Sequence, residues 1–391
     1  MVDPRSNGNE GARIRLGMVG GGEGAFIGAV HRIAARLDDR YSLVAGALSS
    51  TPEKSLRSGA ALGLDADRIY SDYKQMARKE TQRKDGIEAV VIVTPNHIHA
   101  PVAAAFLKAG IHVICDKPLT ATLKDALELE ALALGSGCIF ALTHNYTGYP
   151  MVRQARAMVM AGELGDIRVV QVEYAQDWLS TKLEDTGHKQ AGWRTDPARS
   201  GAGGCIGDIG THAYNLADYI VNIPVTELSA ELTRFVEGRL LDDNAQIMLR
   251  YRNGARGSLW ASQVAPGNEN ALRIRVYGTK GGIDWQQEHP NQLIWSPLGG
   301  ASQIISRGSG QASPAAARIT RIPPGHPEGY LEAFATLYSE IAEAILAART
   351  GSAAPPESHF PGVADGVRGI AFIEAAVRSS KAGGRWIKPL R

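Results

Sequence analysis

The sequence predicts an α/β protein in which a doubly wound parallel sheet is followed by an α+β part with a large, open and mainly antiparallel sheet. Up to about residue 150, short apolar runs alternate with helix-like pieces, as in a parallel sheet covered by helices on both faces. Beyond that point, longer segments of alternating polarity are separated by turn signals, which indicates hairpins. The 391 residues exceed one typical core. We therefore expect a flexible tail (1–12), a first domain (13–150) and a second domain (151–391).

Five apolar runs of the first part predict the strands of the parallel sheet. They cover residues 14–19, 42–48, 89–93, 111–115 and 139–142. The pieces with helical character between them are residues 30–37, 101–109 and 123–134. Ligands of such sheets bind beyond the carboxyl ends of the strands, so the residues that follow each strand are candidates for a site.

The second part is predicted to open with a helix over residues 151–161 and to continue mainly as strands. These strands are predicted over 167–174, 226–235, 245–251, 255–263 and 272–277. Residues 299–317 are rich in Gly, Ser and Ala and predict an exposed loop. The final helices, 330–348 and 363–382, are expected to return and pack on the first domain.

Composition argues against several classes of protein. Apolar residues make up 44% and charged residues 21% of the chain, which is typical of a globular protein. A net charge of +2 gives no reason to expect nucleic acid or an anionic membrane as a partner. The three cysteines, Cys115, Cys138 and Cys205, lack disulfide or zinc-ligand spacing, so no metal is predicted. Without a run of roughly 20 apolar residues or a secretory signal, we expect a cytoplasmic protein.

A glycine-rich loop, GGGEGAFIG, follows the first predicted strand at residues 20–28. Glycines at this position let the backbone approach a pyrophosphate, whose charge the amides at the helix start then hold. The loop is not a regular GxGxxG motif, because the third position is either Ala25 or, in a longer loop, Gly28. Contacts to a dinucleotide are expected from Gly20, Gly22, Gly24, Ala25, Phe26 and Ile27.

The end of the second predicted strand leaves the choice of dinucleotide open. An Asp or Glu there usually binds the adenosine ribose of NAD, but this chain reads LSSTPEK over residues 48–54. Ser49, Ser50 and Lys54 offer hydroxyls and a cation that suit a 2′-phosphate, so NAD and NADP are both expected candidates. The alternative is a plain turn with a helix cap.

Two polar motifs follow the third and fourth predicted strands and so lie at the carboxyl edge of the sheet. They are TPNHIH at residues 94–99 and CDKPL at residues 115–119. Lys117 precedes a proline, which restricts its backbone. A solvated lysine is the commoner interpretation of a single Lys. Because the glycine loop and both motifs converge on one cleft, we expect Lys117 to serve a site.

The stretch GDIGTH at residues 207–212 places an acid and a histidine at the start of a predicted helix. Residues four apart on a helix share one face, so Asp208 and His212 are expected to project together. One interpretation is a catalytic pair. The other is an N-cap, since Asp is a preferred capping residue.

In this order, the glycine loop, TPNHIH, DKP and GDIGTH resemble the glucose-fructose oxidoreductase, inositol dehydrogenase and rhizopine catabolism (Gfo/Idh/MocA) family of NAD(P)-dependent dehydrogenases, from about Arg13 to the C-terminus. The resemblance implies a Rossmann domain, and it implies that Lys117 is the catalytic lysine, with Asp116 replacing the family's glutamate. It places the family's Asp-x-x-x-His on Asp208 and His212. His212 is then expected to accept the proton of a substrate hydroxyl, with Asp208 orienting and Lys117 stabilising the oxygen.

The resemblance, together with position at the sheet edge, also implies contacts at the reactive end of the cofactor and around the substrate. Cofactor contacts are expected from Thr94, Pro95, Asn96, His99, Asp116, Lys117 and Asn145. Substrate contacts are expected from Lys117, Asn145, Tyr146, Trp178, Trp193, Arg194, Asp208 and His212. The mixture of aromatic faces and donors suits a sugar or cyclitol ring. Lys182 is a further donor, His188 and Thr211 are weaker candidates, and residues 180–191 form a lid or a plain surface loop.

The predicted activity is interconversion of a secondary hydroxyl and a ketone on a sugar, sugar derivative or inositol. Two alternatives stay open. One is a redox-neutral sugar-processing enzyme that recycles bound NAD(P), and the other is a non-catalytic NAD(P)-binding sensor. The resemblance also implies a homodimer or homotetramer formed through the C-terminal sheet, since a broad apolar sheet face in water marks an interface.

Overall fold

Two β-sheets of different kinds organise residues 13–389, the part of the chain that the computed structural model describes. The first is a parallel sheet of five strands and the second a sheet of eight strands. Both agree with the predicted fold class. The predicted tail, residues 1–12, lies outside the described residues, and the domain boundary after residue 150 stays a prediction.

The parallel sheet has the strand order β2-β1-β3-β4-β5. Its strands are β1 (Ile14–Gly20), β2 (Tyr41–Ala47), β3 (Ala89–Val93), β4 (His112–Cys115) and β5 (Phe140–Leu142). Beyond β2, Ile69 forms a single parallel bridge to Gly46 in place of a further strand. The chain reverses its direction of strand addition between β1 and β3, and ligands bind at such a switch point in open α/β sheets.

Helices cover both faces of this sheet because its strands are buried on both sides. Ala89–Val93, for example, sends Val91 and Val93 into one apolar cluster and Val90 and Ile92 into the other. The helices are α1 (Phe26–Leu37), α2 (Pro52–Ala61), α3 (Tyr73–Thr81), α4 (Asn96–Lys108) and α5 (Leu123–Ser136).

The second sheet has the order β13-β12-β11-β10-β6-β9-β8-β7, and all its pairings are antiparallel except β6 with β9. The strands are β6 (Ile167–Ala175), β7 (Val225–Thr233), β8 (Asn244–Tyr251), β9 (Arg256–Ser262), β10 (Ala271–Gly278), β11 (Gly281–Gln286), β12 (Gln292–Pro297) and β13 (Gln303–Ser306). Strands β11 to β13 were not predicted. The predicted loop over 299–317 is wrong in part, because it contains β13 and a short helix.

The remaining helices pack on one face of the second sheet or connect it to the first part. They are α6 (Pro150–Met160), α7 (Lys189–Arg194), α8 (Pro197–Ser200), α9 (Thr211–Val221), α10 (Pro314–Arg318), α11 (Tyr330–Arg349) and α12 (Val363–Lys381). Tyr338 of α11 lies 2.8 Å from His31 of α1, and its carbonyl accepts from Tyr41 of β2. Helix α12 contacts α5 and the second sheet, and Glu374 accepts from the Leu123 amide.

Between residues 13 and 389, no helix is long and apolar enough to cross a membrane.

Candidate active site

A cleft of about 2310 Å³ begins at the glycine loop and passes the carboxyl ends of the parallel strands. It ends at a polar chamber where β6 ends, β10 begins and β11 ends. Typical sites for one small ligand occupy roughly 300–1,000 Å³. The cleft therefore has room for a dinucleotide and a second small molecule.

The glycine loop brings helix α1 close to the end of β1. Gly20 and Gly21 have φ of 81° and 71°, values that favour glycine. A Cβ on Gly28 would collide with Gly21, so Gly28 fills the third glycine position as the close contact between helix and strand. The longer loop is therefore the correct alternative.

The start of α1 is shaped to receive an anion. Its N-cap residue, Ala25, makes no side-chain hydrogen bond to the first turn, so the amides there have no side-chain acceptor. A Cβ on Gly22 would lie 2.7 Å from the carbonyl oxygen of Leu48, so the glycine loop and the end of β2 approach closely here. Amides at a helix start suit a pyrophosphate. The residues present therefore fit a dinucleotide.

Of the predicted residues in the loop, Gly24 is not among those that line the cleft, and its contact to a dinucleotide stays a prediction. Its φ of 74° serves the turn itself, and an added Cβ would meet nothing within 4 Å. The predicted residues of the loop that do line the cleft are Gly20, Gly22, Ala25, Phe26 and Ile27. At the end of β2 the cleft is lined by Ser49, Ser50 and Lys54, as predicted.

The motif after β3 divides between the cleft and the interior. Thr94, Pro95 and Asn96 line the cleft, and the Thr94 hydroxyl is buried without a hydrogen-bond partner among residues 13–389. His99 does not line it, contrary to prediction, because its ring nitrogens lie 2.8 Å from the carbonyl oxygens of Pro118 and Thr94. His99 instead joins the loop after β3 to the loop after β4.

Asp116 lies at the end of β4, on the inner side of the cleft. Its Oδ1 accepts from the Lys117 amide at 2.9 Å and from the Thr143 hydroxyl at 3.1 Å. His31 Nε2 is buried 3.9 Å from the same oxygen. Burial opposes ionisation, but His31 and Lys117 outweigh it and lower the pKa of Asp116 to about 2. Asp116 is therefore a carboxylate at neutral pH.

Lys117 and Asp208 meet across the cleft, although Lys117 lies in the loop after β4 and Asp208 in the helical turn before α9. Lys117 Nζ donates to Asp208 Oδ1 at 2.9 Å and to the Asp208 carbonyl oxygen at 2.8 Å. Asp208 Oδ2 accepts from Arg194 at 3.0 Å and from Gln263 at 2.9 Å. Burial opposes ionisation, but Arg194 and Lys117 hold the pKa of Asp208 well below its ordinary value.

The local backbone around Asp208 is a π-helical turn, Ile206–Gly210, which continues into α9. Asp208 and His212 therefore lie on successive helical segments, and both line the cleft. Among the described residues, the Asp208 carboxylate accepts only from the side chains of Lys117, Arg194 and Gln263, and it makes no cap hydrogen bond. The N-cap interpretation is wrong.

His212 faces the cleft with His144 behind it. Their Nδ1 atoms are 3.5 Å apart, and the rings meet almost at right angles. Burial and the Lys117 charge lower the pKa of His212 well below its ordinary value, and they lower that of His144 to about 3. Both imidazoles are neutral at neutral pH.

The chamber beyond His212 is lined by aromatic rings and amides. Tyr146 packs edge to face on His212 at 4.8 Å between centroids, and its hydroxyl lies 2.6 Å from that of Tyr174. Asn270 accepts from Tyr174 and from Gln176 and also approaches the Tyr146 hydroxyl. These groups form a connected network with polar atoms at one edge of the cleft.

Several predicted substrate residues occupy the other wall of the chamber. Trp178 and Trp193 line it, and the Arg194 guanidinium lies 4.5 Å over the Trp193 ring. Asn145 is buried and is not among the residues that line the cleft, so its contacts to cofactor and substrate stay a prediction. The Asn145 Nδ2 has no hydrogen-bond partner in the described part of the chain.

Among the weaker candidates, His188 lines the cleft, whereas Thr211 is buried behind it. Lys182 is turned away and pairs with Asp185 at 3.1 Å. From the predicted lid segment the cleft receives Glu184, Gly187, His188, Lys189 and Gln190.

Sequence motifs missed several residues that line or support the cleft. Two come from helices, His31 of α1 and Tyr330 of α11, and the others come from strand ends: Tyr174, Gln176, Gln263, Asn270 and Gln287. A polar residue just after an alternating strand was the one signal available for Gln176, Gln263 and Gln287. Within residues 13–389, no cluster of three or more His, Cys, Asp or Glu side chains is arranged to hold a metal.

Comparison with known proteins finds two family models that match successive parts of the chain. A family model described as an oxidoreductase family with an NAD-binding Rossmann fold matches residues 14–144. A second model, described as the GFO/IDH/MocA C-terminal domain, matches residues 152–284. Levoglucosan dehydrogenase of Pseudarthrobacter phenanthrenivorans is 27% identical over 96% of this chain and 97% of its own.

Solved structures resemble the chain over nearly its whole length. An oxidoreductase from Sinorhizobium meliloti is 57% identical, with a TM-score of 0.88 and coverage of 96% of this chain and 99% of that one. An inositol dehydrogenase homologue from Azotobacter vinelandii, in complex with NAD⁺, is 37% identical, with a TM-score of 0.95 and coverage of 99% and 100%. A structure of that homologue with NADH and myo-inositol gives a TM-score of 0.90, 37% identity and coverage of 96% and 97%.

Proposed function

This chain belongs to the Gfo/Idh/MocA family of NAD(P)-dependent oxidoreductases, and from that premise we propose that it interconverts a secondary hydroxyl and a ketone on a sugar, sugar derivative or inositol. The observation that carries this proposal is the contact of Lys117 with Asp208 beside His212, at the junction of the glycine-loop cleft and the polar chamber. The solved relative that binds NADH and myo-inositol supports a polyol as substrate.

The cofactor end of the cleft is assigned to the glycine loop and the strand ends. When bound, NAD supplies a nicotinamide ring that accepts a hydride. The uncapped amides at the start of α1 would hold the pyrophosphate, and Ser49, Ser50 and Lys54 would face the adenosine ribose. The buried hydroxyl of Thr94, which has no partner in the described chain, offers a polar contact near the reactive end.

His212 is proposed to take the proton of the substrate hydroxyl. Its Nε2 makes no hydrogen bond to the described part of the chain, so this nitrogen is free to accept. A neutral imidazole has one protonated nitrogen. For Nε2 to accept, His212 Nδ1–H must donate to His144 Nδ1, so His144 favours the productive tautomer. Its lowered pKa keeps His212 ready as a base in the resting enzyme.

Lys117 is proposed to donate to the oxygen that becomes the carbonyl. Two of its three N–H groups are directed at Asp208, which leaves one for substrate. A cation in this place stabilises negative charge as the hydroxyl loses its proton. Asp208 fixes the direction of Lys117 and, through its other oxygen, that of Arg194.

The chamber supports recognition of a ring rich in hydroxyls. Tyr146, Trp178 and Trp193 offer flat faces, and Gln176 and Asn270 offer amides. A sugar or cyclitol needs an apolar face for its C–H groups and a partner for each hydroxyl that it buries. A purely apolar chamber would leave those hydroxyls unpaired.

We also propose a homodimer or homotetramer that associates through the uncovered face of the eight-stranded sheet. Cross-strand pairing places Met248, Ser258, Gln171, Arg275, Asp284, Ile294 and Ile304 in one row on this face. Met248 is 55% and Ile304 59% exposed. Exposed apolar residues on a broad sheet face are typical of an interface.

A cytoplasmic location is expected from the three unpaired cysteines.

The test is reduction of NAD⁺ and NADP⁺, measured in parallel by absorbance of the reduced nicotinamide, with inositols, aldoses, uronic acids and glycosides as substrates. We expect turnover with a polyol and with one cofactor in preference to the other. Binding of the cofactor without turnover on any polyol would contradict the proposal. It would favour the redox-neutral enzyme or the sensor instead.

A further inference from the structure

The helix that carries Asp208 and His212 begins without a cap from its own sequence. Cys205, the N-cap of the π-helical turn, makes no side-chain hydrogen bond to that turn. The first amides are instead held by Asp242, a buried residue from the connection between β7 and β8. Asp242 Oδ1 accepts from the Gly204 amide at 2.7 Å, and Oδ2 accepts from the Ile206 amide at 2.8 Å.

The main chain reinforces this contact. The Asp242 carbonyl oxygen accepts from the Cys205 amide at 2.8 Å, and the Gly204 carbonyl accepts from the Asp208 amide at 2.9 Å. A Cβ on Gly204 would collide with the Asp242 carbonyl oxygen, so only glycine permits this approach. The position of Asp208 therefore depends on Asp242 through two consecutive hydrogen bonds.

The next residue, Asp243, makes a second set of contacts on the substrate side. Its carboxylate accepts from the amides of Phe235 and Val236 and from Arg239. Arg239 in turn donates to Glu184, which lines the cleft. Arg239 also donates to the carbonyl oxygens of residues 179 and 181.

The main chain of Asp243, which a side-chain substitution leaves in place, also reaches Asp208. The Asp243 carbonyl oxygen accepts from the Gln263 amide at 2.9 Å, and the Gln263 side chain donates to Asp208 Oδ2. Both carboxylates are buried, at 8% exposure for Asp242 and 0% for Asp243. Buried charges persist where they are hydrogen-bonded in this way.

We propose that Asp242 and Asp243 are positioning residues with separate tasks: Asp242 sets the place of the turn that carries Asp208 and His212, and Asp243, through Arg239, sets the segment 179–184 at the substrate end of the cleft. This inference rests on the proposed function for its kinetic consequences. Its structural content, that two adjacent carboxylates anchor two different walls, is independent of that function.

The variants are Asp242→Asn and Asp243→Asn, with Glu340→Gln as the matched control. Glu340 is also a buried carboxylate held by arginines, Arg153 and Arg318, but it does not line the cleft. An asparagine at 242 keeps one acceptor and turns an NH₂ toward the other amide. The catalytic turn should shift while the cofactor end stays intact.

We expect Asp242→Asn to lower kcat by roughly tenfold to a hundredfold with little change in KM, since small misplacements of reacting groups cost that much. Asp243→Asn should raise KM severalfold with little change in kcat. The control should lose thermal stability and keep both constants. Equal changes of kcat and KM in both aspartate variants, or wild-type values in either, would overturn the proposal.

Hydrogen exchange of the full chain separates this proposal from the proposed function, because it needs no turnover. Asp242→Asn should speed exchange in residues 204–212, Asp243→Asn in residues 179–184 and 235–239, and Glu340→Gln in neither. If an aspartate variant speeds exchange equally in all these segments, or in none of them, the anchoring is contradicted. This result does not depend on knowing the substrate. If Asp242→Asn does not fold, Asp242→Glu keeps the charge and should change exchange in the same segment.

Discussion

Lys117 Nζ lies 2.9 Å from Asp208 Oδ1, joining the loop after β4 of the parallel sheet to the turn before α9. Asp208 is also bound by Arg194 and Gln263, so it stays held when the lysine is removed. The lysine therefore fits a role toward substrate better than a role in holding the two sheets together.

Lys117→Ala should lower kcat by about 10²–10³-fold, the usual loss on removing one donor to a developing oxyanion. Because Asp208 keeps two other donors, the fold and the dissociation constant for NAD should change little. Steady-state kinetics, calorimetric titration of NAD and circular dichroism measure the three quantities. A variant with wild-type kcat would refute the role of Lys117.

His212→Ala should lower kcat by about 10²–10⁴-fold, the range expected for loss of a general base. His144→Asn should lower it less, because His212 keeps its place but loses the partner that favours one tautomer. His359→Ala, a histidine outside the cleft, is the control and should keep wild-type kinetics. A larger loss in His144→Asn than in His212→Ala would contradict the assignment.

Acid should destabilise the folded protein through the buried histidine pair. Because the pKa of His144 is lowered from 6.5 to about 3, the unfolded chain binds more protons between those values, so stability is lost as pH falls below about 6.5. The pKa of His212 is also lowered, so His212 likewise destabilises the folded protein as the pH falls. Asp242 has the opposite effect on the free energy of unfolding. Burial raises its pKa to about 6, so its contribution to that free energy falls as the pH rises from about 4 to 6.

Thermal unfolding of the wild type and His144→Asn at several pH values tests this expectation. The melting temperature of the wild type should fall more between about pH 7 and pH 5 than that of the variant. His326→Asn, an exposed histidine, is the control and should follow the wild type. Identical curves for the wild type and His144→Asn would show that the pair does not titrate on unfolding.

Uncharged polyols should be better substrates than their carboxylated counterparts. Around the reacting position, the cations of Lys117 and Arg194 are balanced by the carboxylates of Asp116 and Asp208. A uronate would bring an unbalanced negative charge, which costs several kcal/mol against like charges. We expect kcat/KM for glucuronate to be at least roughly tenfold below that for glucose. A preference for the uronate would contradict this charge balance.

The uncovered face of the second sheet should mediate self-association. Met248→Glu places a charge in the middle of the exposed row defined above and should shift the protein to a smaller species in light scattering after size exclusion. Leu134→Glu, at an exposed site on α5, is the control and should leave the assembly unchanged. A wild type that is monomeric at micromolar concentration would contradict the interface.

Periodicity was enough to predict the parallel sheet, because strands such as Ala89–Val93 are continuous apolar runs buried on both faces. It failed for β12 and β13. Their exposed residues, such as Ile294 and Ile304, and the glycines at 299–300 hide the alternation, and the strands exist because they pair with β11. Tertiary pairing outweighs local propensity there.

Most of the residues that the motifs predicted do line the cleft, but the motifs did not predict how these residues are held. No spacing within GDIGTH reveals that the turn is π-helical, or that amides at its start are held by Asp242, which lies beyond strand β7. His99 and Asn145 belong to motifs at the correct edge of the sheet, but their side chains point into the interior. The position of a residue in such a motif predicts that it lies at the carboxyl edge of the sheet, but it does not predict where its side chain points.

The most direct test of the proposed reaction is isotope transfer from a polyol deuterated at the carbon that bears the reacting hydroxyl. Wild-type enzyme with unlabelled cofactor should release reduced nicotinamide cofactor that carries one deuterium, together with the ketone, and Lys117→Ala and His212→Ala should do so far more slowly. Mass spectrometry of the released cofactor measures the transfer. Consumption of the substrate without labelled reduced cofactor in solution would contradict net hydride transfer and support a cofactor that is recycled within the site.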